Sequence, residues 1–315
     1  MLFRSVRAVE SVFQHKSDWQ DPRNWKLLGR VRPHAEFLGT VSEFGLATLG
    51  GWLGVLASAQ GDLPGARKIG EQVLGVCRRV LGEEHPETLG SMQNLATTLW
   101  SQGDLPCARK IEEQVLDVRR RVLGEEHADT LTAMNNLAST LRDQGDLPGA
   151  RKIEEQVLDA RRRVLGEEHP NTIHSMGNLA HTLWAQGDLA GARKIQEQAL
   201  DVSRRVLGEE HPDTLTSMNN LAQTLKAQRD LPGARKIQEQ VLDIRRRVLG
   251  EEHPDTVVSA WNLFRTLSDL KDEKAAKQVF TAYLVPLLER DPATLLPANL
   301  RKIQAELQLR SEPQP

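Results

Sequence analysis

An all-α solenoid of antiparallel helix pairs is the fold this chain predicts, and three observations predict it. A 42-residue unit recurs five times from Gly61 to Leu270 without a slip of register. His85, His127, His169, His211 and His253 mark one position of it, and Asn94, Asn136, Asn178, Asn220 and Asn262 another. A strict period in this range is the mark of stacked repeats, each burying surface only against its neighbours. Within the unit, Leu89, Met92, Leu95, Ala96 and Leu99 fall at helical spacing, and so do Ala108, Ile111, Val115, Leu116, Val118 and Val122. Finally, no stretch alternates with period two, so essentially no strand is expected.

Residues 1–45 lie outside the period and are expected to form an N-terminal helical cap. Leu2 to Phe13 offers one helix and Trp25 to Leu38 another, perturbed by Pro33, with Asp21-Pro22 breaking the chain between them. Trp19, Trp25 and Trp52 are expected to pack on the first repeat. The solenoid spans 46–290, beginning with a glycine-rich degenerate copy from Gly45 to Gln60. In each unit a first helix (Pro86 to Ser101 in one copy) opens at His-Pro, where a proline in the first turn lacks only an orphan N–H. Gln102-Gly103-Asp104 turns the chain, with Asp104 as N-cap. A second helix, Leu105 to Leu123, carries Arg119, Arg120 and Arg121 in its last turns, where positive charge suits the helix end, and Gly124 stops it. Residues 291–315 are read as a capping helix from Asp291-Pro292 to about Leu309, with Leu296, Leu300, Ile303 and Leu307 on one stripe, and a frayed tail.

Composition narrows the function. The 315 residues carry 41 Lys+Arg against 43 Asp+Glu, so no global charge draws nucleic acid or an anionic membrane. No apolar run approaches the roughly 18 residues that cross a bilayer, and no apolar segment of a secretory signal follows Met1. Cys77 and Cys107 occupy different positions of the unit and read as free thiols of a cytoplasmic protein.

The recurring chemistry-bearing motifs read as structural. Glu-Glu-His appears five times, but successive copies lie about 10 Å apart, the spacing of packed helices, too far to share a metal. The Arg triplets sit beside Glu-Glu pairs that cancel their field. The Met92, Met134, Met176 and Met218 column fills the core. No nucleophile–base set, phosphate loop or ligand cluster is present, and one Tyr with few Phe gives no base-stacking platform. The chain therefore reads as no enzyme, with no catalytic residue, cofactor or metal.

The small residues Ala96 and Ala108, with Leu95, Leu99 and the Gln102-Gly103-Asp104 turn, resemble the tetratricopeptide repeat. Eight residues beyond the usual unit, together with Leu-Gly-Glu-Glu-His-Pro and Asn-Asn-Leu-Ala, resemble the kinesin-light-chain and nephrocystin-like branch. Arg229 and Lys271 depart from it by replacing the turn glycine. The resemblance implies a right-handed superhelical solenoid that binds a peptide or protein segment in a concave groove lined by first helices. It places three columns there: Gln93, Asn135, Gly177, Asn219 and Trp261; Thr97, Ser139, His181, Gln223 and Arg265; and Trp100, Arg142, Trp184, Lys226 and Ser268. These vary from copy to copy while the core columns barely change. Amides suit an extended backbone, Arg142, Lys226 and Arg265 suit acidic groups, and Trp100 and Trp184 suit apolar anchors. The repeated Asn column, in the same family, ties neighbouring helices together. More weakly, Phe13, Trp25 and Arg32-Pro33-His34-Ala35 resemble the connector of an NB-ARC-type signalling ATPase, which would make the chain the sensor arm of such a switch, with an ATPase module upstream.

Overall fold

The computed structural model describes residues 57–58, 61–288 and 298–311. The expected N-terminal cap, and the expected start of the last helix at Asp291-Pro292, lie outside the described residues. The chain divides between Ala160 and Arg161 into two compact units.

The first unit is built of helix pairs. They are α1 (Leu63–Leu81), α2 (Pro86–Ser101), α3 (Leu105–Leu123), α4 (Ala128–Asp143) and most of α5 (Leu147–Leu165). The second continues with α6 (Pro170–Ala185), α7 (Leu189–Leu207), α8 (Pro212–Ala227), α9 (Leu231–Leu249) and α10 (Pro254–Asp269). Then come α11 (Glu273–Val279), a π-helical turn (Phe280–Leu284), α12 (Val285–Leu288) and α13 (Ala298–Ser311). There is no strand among the described residues. The two repeat helices thus run over the residues that their spacing predicts.

Local chemistry sets these ends. Every second helix opens on an aspartate whose carboxylate accepts a backbone N–H three residues on, as Asp62 does from Gly65 (3.0 Å) and Asp188 from Gly191 (2.9 Å). First helices open on the histidine of the Glu-Glu-His motif. Its Nδ1 accepts the N–H two residues on, 3.2 Å from Glu87 to His85 and 3.1 Å from Asp129 to His127. The motif is therefore a helix cap, with the imidazole in the role usually held by Ser or Asp.

Each arginine of the triplet has its own partner. In two of the three triplets the second closes the loop, as Arg120 does on Glu125 at 3.0 Å, whereas Arg246 pairs with Asp243 of its own helix at 2.7 Å; the third reaches back one repeat, as Arg121 does to Glu84 at 2.7 Å and Arg247 to Glu210 at 2.7 Å. The first turns inward: Arg119, Arg161 and Arg245 donate to the backbone carbonyls of residues 129, 171 and 255 at 2.9–3.0 Å. The exposed pairs hold register more than they stabilise.

In the first unit the buried cluster joins Leu89, Met92, Leu95, Leu99, Val115, Leu116, Met134 and Leu137. In the second, Leu215, Met218, Leu221 and Val241 form the repeat core. A terminal cluster seats Leu300, Ile303 and Leu307 of α13 on Val257, Trp261, Leu284 and Leu287, so the last helix covers the apolar end. Cys77 is buried and Cys107 exposed, both as free thiols.

The turn before each second helix places its glycine in the left-handed region, at φ +81° for both Gly103 and Gly187. Arg229 and Lys271 keep that conformation at φ +67° and +58° despite their Cβ atoms. A side chain there costs about 1 kcal/mol relative to glycine. Arg229→Gly and Lys271→Gly are each expected to raise stability by about 1 kcal/mol, read as a higher urea midpoint.

Candidate functional site

The candidate surface follows from which face of each first helix the core leaves free. Leu179, Ala180, Leu183 and Met176 turn one face of α6 inward. The other face meets that of α8 across a cleft of about 820 Å³ in the second unit. Asn178, His181 and Trp184 line one wall and Ser217, Asn220 and Gln223 the other, with Gln196 of α7 between them. Gly177 opens the space, since a Cβ built there meets nothing within 4 Å, whereas other copies place Gln93, Asn135, Asn219 or Trp261 at this position. The walls mix amides and hydroxyls with the apolar surfaces of Ile173, Trp184 and Leu207.

Trp184 is 43% exposed. Its counterpart Trp100, equally exposed, donates its indole N–H to Asp143 of the next first helix at 2.7 Å. The matching position beyond Trp184 is Ala227, which has no side-chain acceptor. Among the described residues none accepts a hydrogen bond from the Trp184 indole.

Of the residues placed in the groove by the sequence, His181, Trp184 and Gln223 lie on the cleft walls. Asn219 is half-buried and off the lining, and Lys226 pairs with Asp269 at 2.8 Å. Trp261 is a correction: at 5% exposure it belongs to the terminal core, stacked on Phe264 with ring centroids 5.7 Å apart, because α13 and the last repeat close over it. Arg265 stays exposed, its guanidinium 6.0 Å from the Trp261 ring centre.

In the first unit, Thr97 and Trp100 are exposed, Gln93, Asn135 and Ser139 half-buried. Arg142 is not a free cation for a ligand: it donates to Glu154 at 2.9 Å, the two side chains being 14% and 2% exposed, and to Ser139 at 3.4 Å. Below this surface lies a buried polar column at the position of Glu112, Glu154, Gln196 and Gln238, at most 9% exposed. One side-chain oxygen each of Glu112, Gln196 and Gln238 has no hydrogen-bond partner among the described residues. Burial, opposed by the Thr140 hydroxyl and helped by the Glu113 charge, pushes the Glu112 carboxyl up to about 7.

Two members of the Asn column stand elsewhere than the expected helix-tying role places them. Rather than tying helices together, Asn178 and Asn220 face the cleft, and Asn178 makes one marginal contact, 3.5 Å to His174. This column is the part of the site the sequence reading missed. Its strict repetition looked structural, and only the geometry shows that the amides of Asn178 and Asn220 line the cleft.

Comparison with known proteins agrees with this architecture. No curated protein matches the chain in sequence. Among solved structures it is similar to a Podosopora anserina protein described as a kinesin light chain with nearly identical TPR-like repeats. Identity there is 28%, over 65% of this chain and 98% of that one, with a TM-score of 0.59. It is also similar to BtubC (BKLC) of P. vanneervenii, at 21% identity over 74% and 93% of the two chains, TM-score 0.61, a likeness of fold. The tetratricopeptide repeat sequence model matches residues 46–121, 108–163, 129–202 and 175–247. The chain belongs to the tetratricopeptide repeat family, whose helix-pair arrays are protein-interaction scaffolds and ordinarily not enzymes.

Proposed function

We propose that the chain captures an extended segment of a protein partner in the cleft between α6 and α8. One observation carries this reading: an open cleft of about 820 Å³ is lined by amides and by a tryptophan whose indole N–H meets no acceptor among the described residues. Asn178, Asn220 and Gln223 supply donors and acceptors for an extended backbone, and Trp184 supplies a rigid apolar anchor. The partner is a peptide or protein, and the site of action is the cytoplasm. If the chain is the arm of a nucleotide-driven switch, as the Phe13, Trp25 and Arg32 to Ala35 stretch suggests, the same cleft is its sensing surface.

The test uses twelve-residue peptides selected from a displayed library against the full chain. Trp184→Ala combined with Asn220→Ala is expected to keep the helical circular-dichroism signal and weaken the selected peptides by at least about tenfold, the scale of a lost anchor. Asn219→Ala, off the lining, is expected to change little. Selected peptides that bind the double variant as tightly as the parent would rule out this cleft.

A further inference from the structure

The repeats allow each side chain around the cleft to be compared with its counterparts, and the third copy stands apart. The inward arginine of the triplet recurs as Arg119, Arg161 and Arg245. Each donates to the carbonyl of the residue ten positions on, and Arg161 and Arg245 also donate to a serine, Ser175 at 2.8 Å and Ser259 at 2.9 Å. At that tenth position Arg119 faces Asp129 and Arg245 faces Asp255, whose carboxylates oppose the loss of solvation of the guanidinium. Arg161 faces Asn171 instead, and burial lowers its affinity for protons with no acid acting against it. Copies one and four, which have Cys77 and Ser203 in place of the arginine, still carry Glu87 and Asp213. The third copy alone keeps the cation and loses the acid.

Arg161 is 6% exposed, so water cannot replace the missing counter-charge. It lies behind Asn171 and His174, both of which line the cleft; desolvation chiefly, and the Arg161 charge after it, lower the proton affinity of His174. Asp213, the only acid among the lining residues, acts in the opposite sense on His174. Asp213 nevertheless lies 3.8 Å from His211 and is 76% exposed, which screens it. His174 is itself a replacement, standing where the other copies have Gly90, Thr132, Thr216 and Val258, and His181 is another, standing where they have Thr97, Ser139, Gln223 and Arg265. The third copy thus adds two imidazoles to the same wall from which it removes a carboxylate.

We propose that the Pro170–His174 end of the cleft is an anion subsite that receives an Asp or Glu side chain of the bound segment, the carboxylate serving as counter-charge to Arg161. The proposal rests on the capture reading above and adds to it the chemistry of one anchor. Asn171 offers its amide N–H, and His174 and His211 offer ring nitrogens, while Arg161 supplies the field from behind the wall. A bound carboxylate favours the protonated imidazole, so His174, faced by Arg161, His211, His181 and Asp213, should bind its proton more tightly in the complex.

The experiment uses the full chain and fluorescein-labelled octapeptides of alternating glycine and a test residue. Three have amidated ends and carry Glu, Gln or Lys; a fourth carries Gln with a free terminal carboxylate. By fluorescence anisotropy at low salt the Glu peptide is expected to bind at least about tenfold more tightly than the others, as charge complementarity at low ionic strength allows. Binding of the Glu peptide should also move the His174 ring titration upward in NMR. Asn171→Asp, which restores the residue type of the other copies, should weaken the Glu peptide about tenfold while raising the thermal midpoint. Equal binding of the Glu and Gln peptides, preference for the Lys peptide, binding of the free-terminus peptide alone, or an Asn171→Asp variant that binds the Glu peptide as before would each overturn the subsite. If library-selected peptides remain sensitive to Trp184→Ala with Asn220→Ala in that event, the capture reading stands and only the anion subsite falls.

Discussion

Glu112→Gln is expected to stabilise the first unit by about 3 kcal/mol at pH 8 and to flatten its pH dependence. The buried carboxyl of Glu112 is pushed up to about 7 from its ordinary 4.5, chiefly by loss of solvent. The folded state therefore holds this proton more tightly than the unfolded chain. Its stabilising effect is complete below the unfolded value, declines as pH rises from 4.5 toward 7, and is gone above, where the folded state must house an ionised carboxylate. A difference of this size corresponds to about 3 kcal/mol, at 1.36 kcal/mol per unit. Glutamine keeps the shape and removes the ionisation, and the protein already uses it at the same position in Gln196 and Gln238. Hydrogen exchange of the α3 and α4 amides at pH 5 and pH 8 measures the effect locally, which matters because stacked repeats need not unfold together. Equal protection at the two pH values in the parent chain would show that Glu112 is not buried as described.

Arg142→Ala is expected to cost about 3 kcal/mol, the penalty for removing one member of a buried ion pair. Glu154, 1% exposed, then loses the guanidinium 2.9 Å away. Arg142→Met combined with Glu154→Gln is expected to recover most of the loss, since no charge is then left buried. The pair of variants also separates two roles for Arg142. A ligand-binding arginine would leave stability unchanged on truncation, whereas a structural one lowers the urea midpoint and is rescued by its partner's neutralisation.

These two residues show where a one-dimensional reading stops. The period, the helix limits, the aspartate caps and the turn glycines are local properties, and each was legible because its physics lies within a few residues. The burial of Glu112 was not, because it depends on α4 of the next repeat, whose Thr140 supplies its hydroxyl partner. On a helical wheel Glu112 looks like any other charged residue. Arg142 presents the same difficulty in reverse: its column varies, which suits a ligand-reading surface, yet the side chain folds back on Glu154 within its own repeat pair. Trp261 joined the groove by alignment and the core by packing, because the terminal helix that covers it lies some 40 residues away. The cleft itself was legible only in part. Gly177 is visible in the sequence as a missing side chain, but its meaning requires knowing that α6 and α8 face each other there. Likewise Asn171 reads as a conservative change from aspartate until Arg161 is seen turned toward it, 3.0 Å from its carbonyl.

The two exposed tryptophans allow the central claim, that the α6–α8 cleft is where a partner binds, to be measured directly. In an NMR titration of the 15N-labelled full chain with a library-selected peptide, the indole N–H resonance of Trp184 is predicted to shift and to gain protection from solvent exchange. That of Trp100, already donated to Asp143, is predicted to stay in place. A shift of the Trp100 indole with Trp184 unmoved would contradict the account and place recognition elsewhere on the repeats.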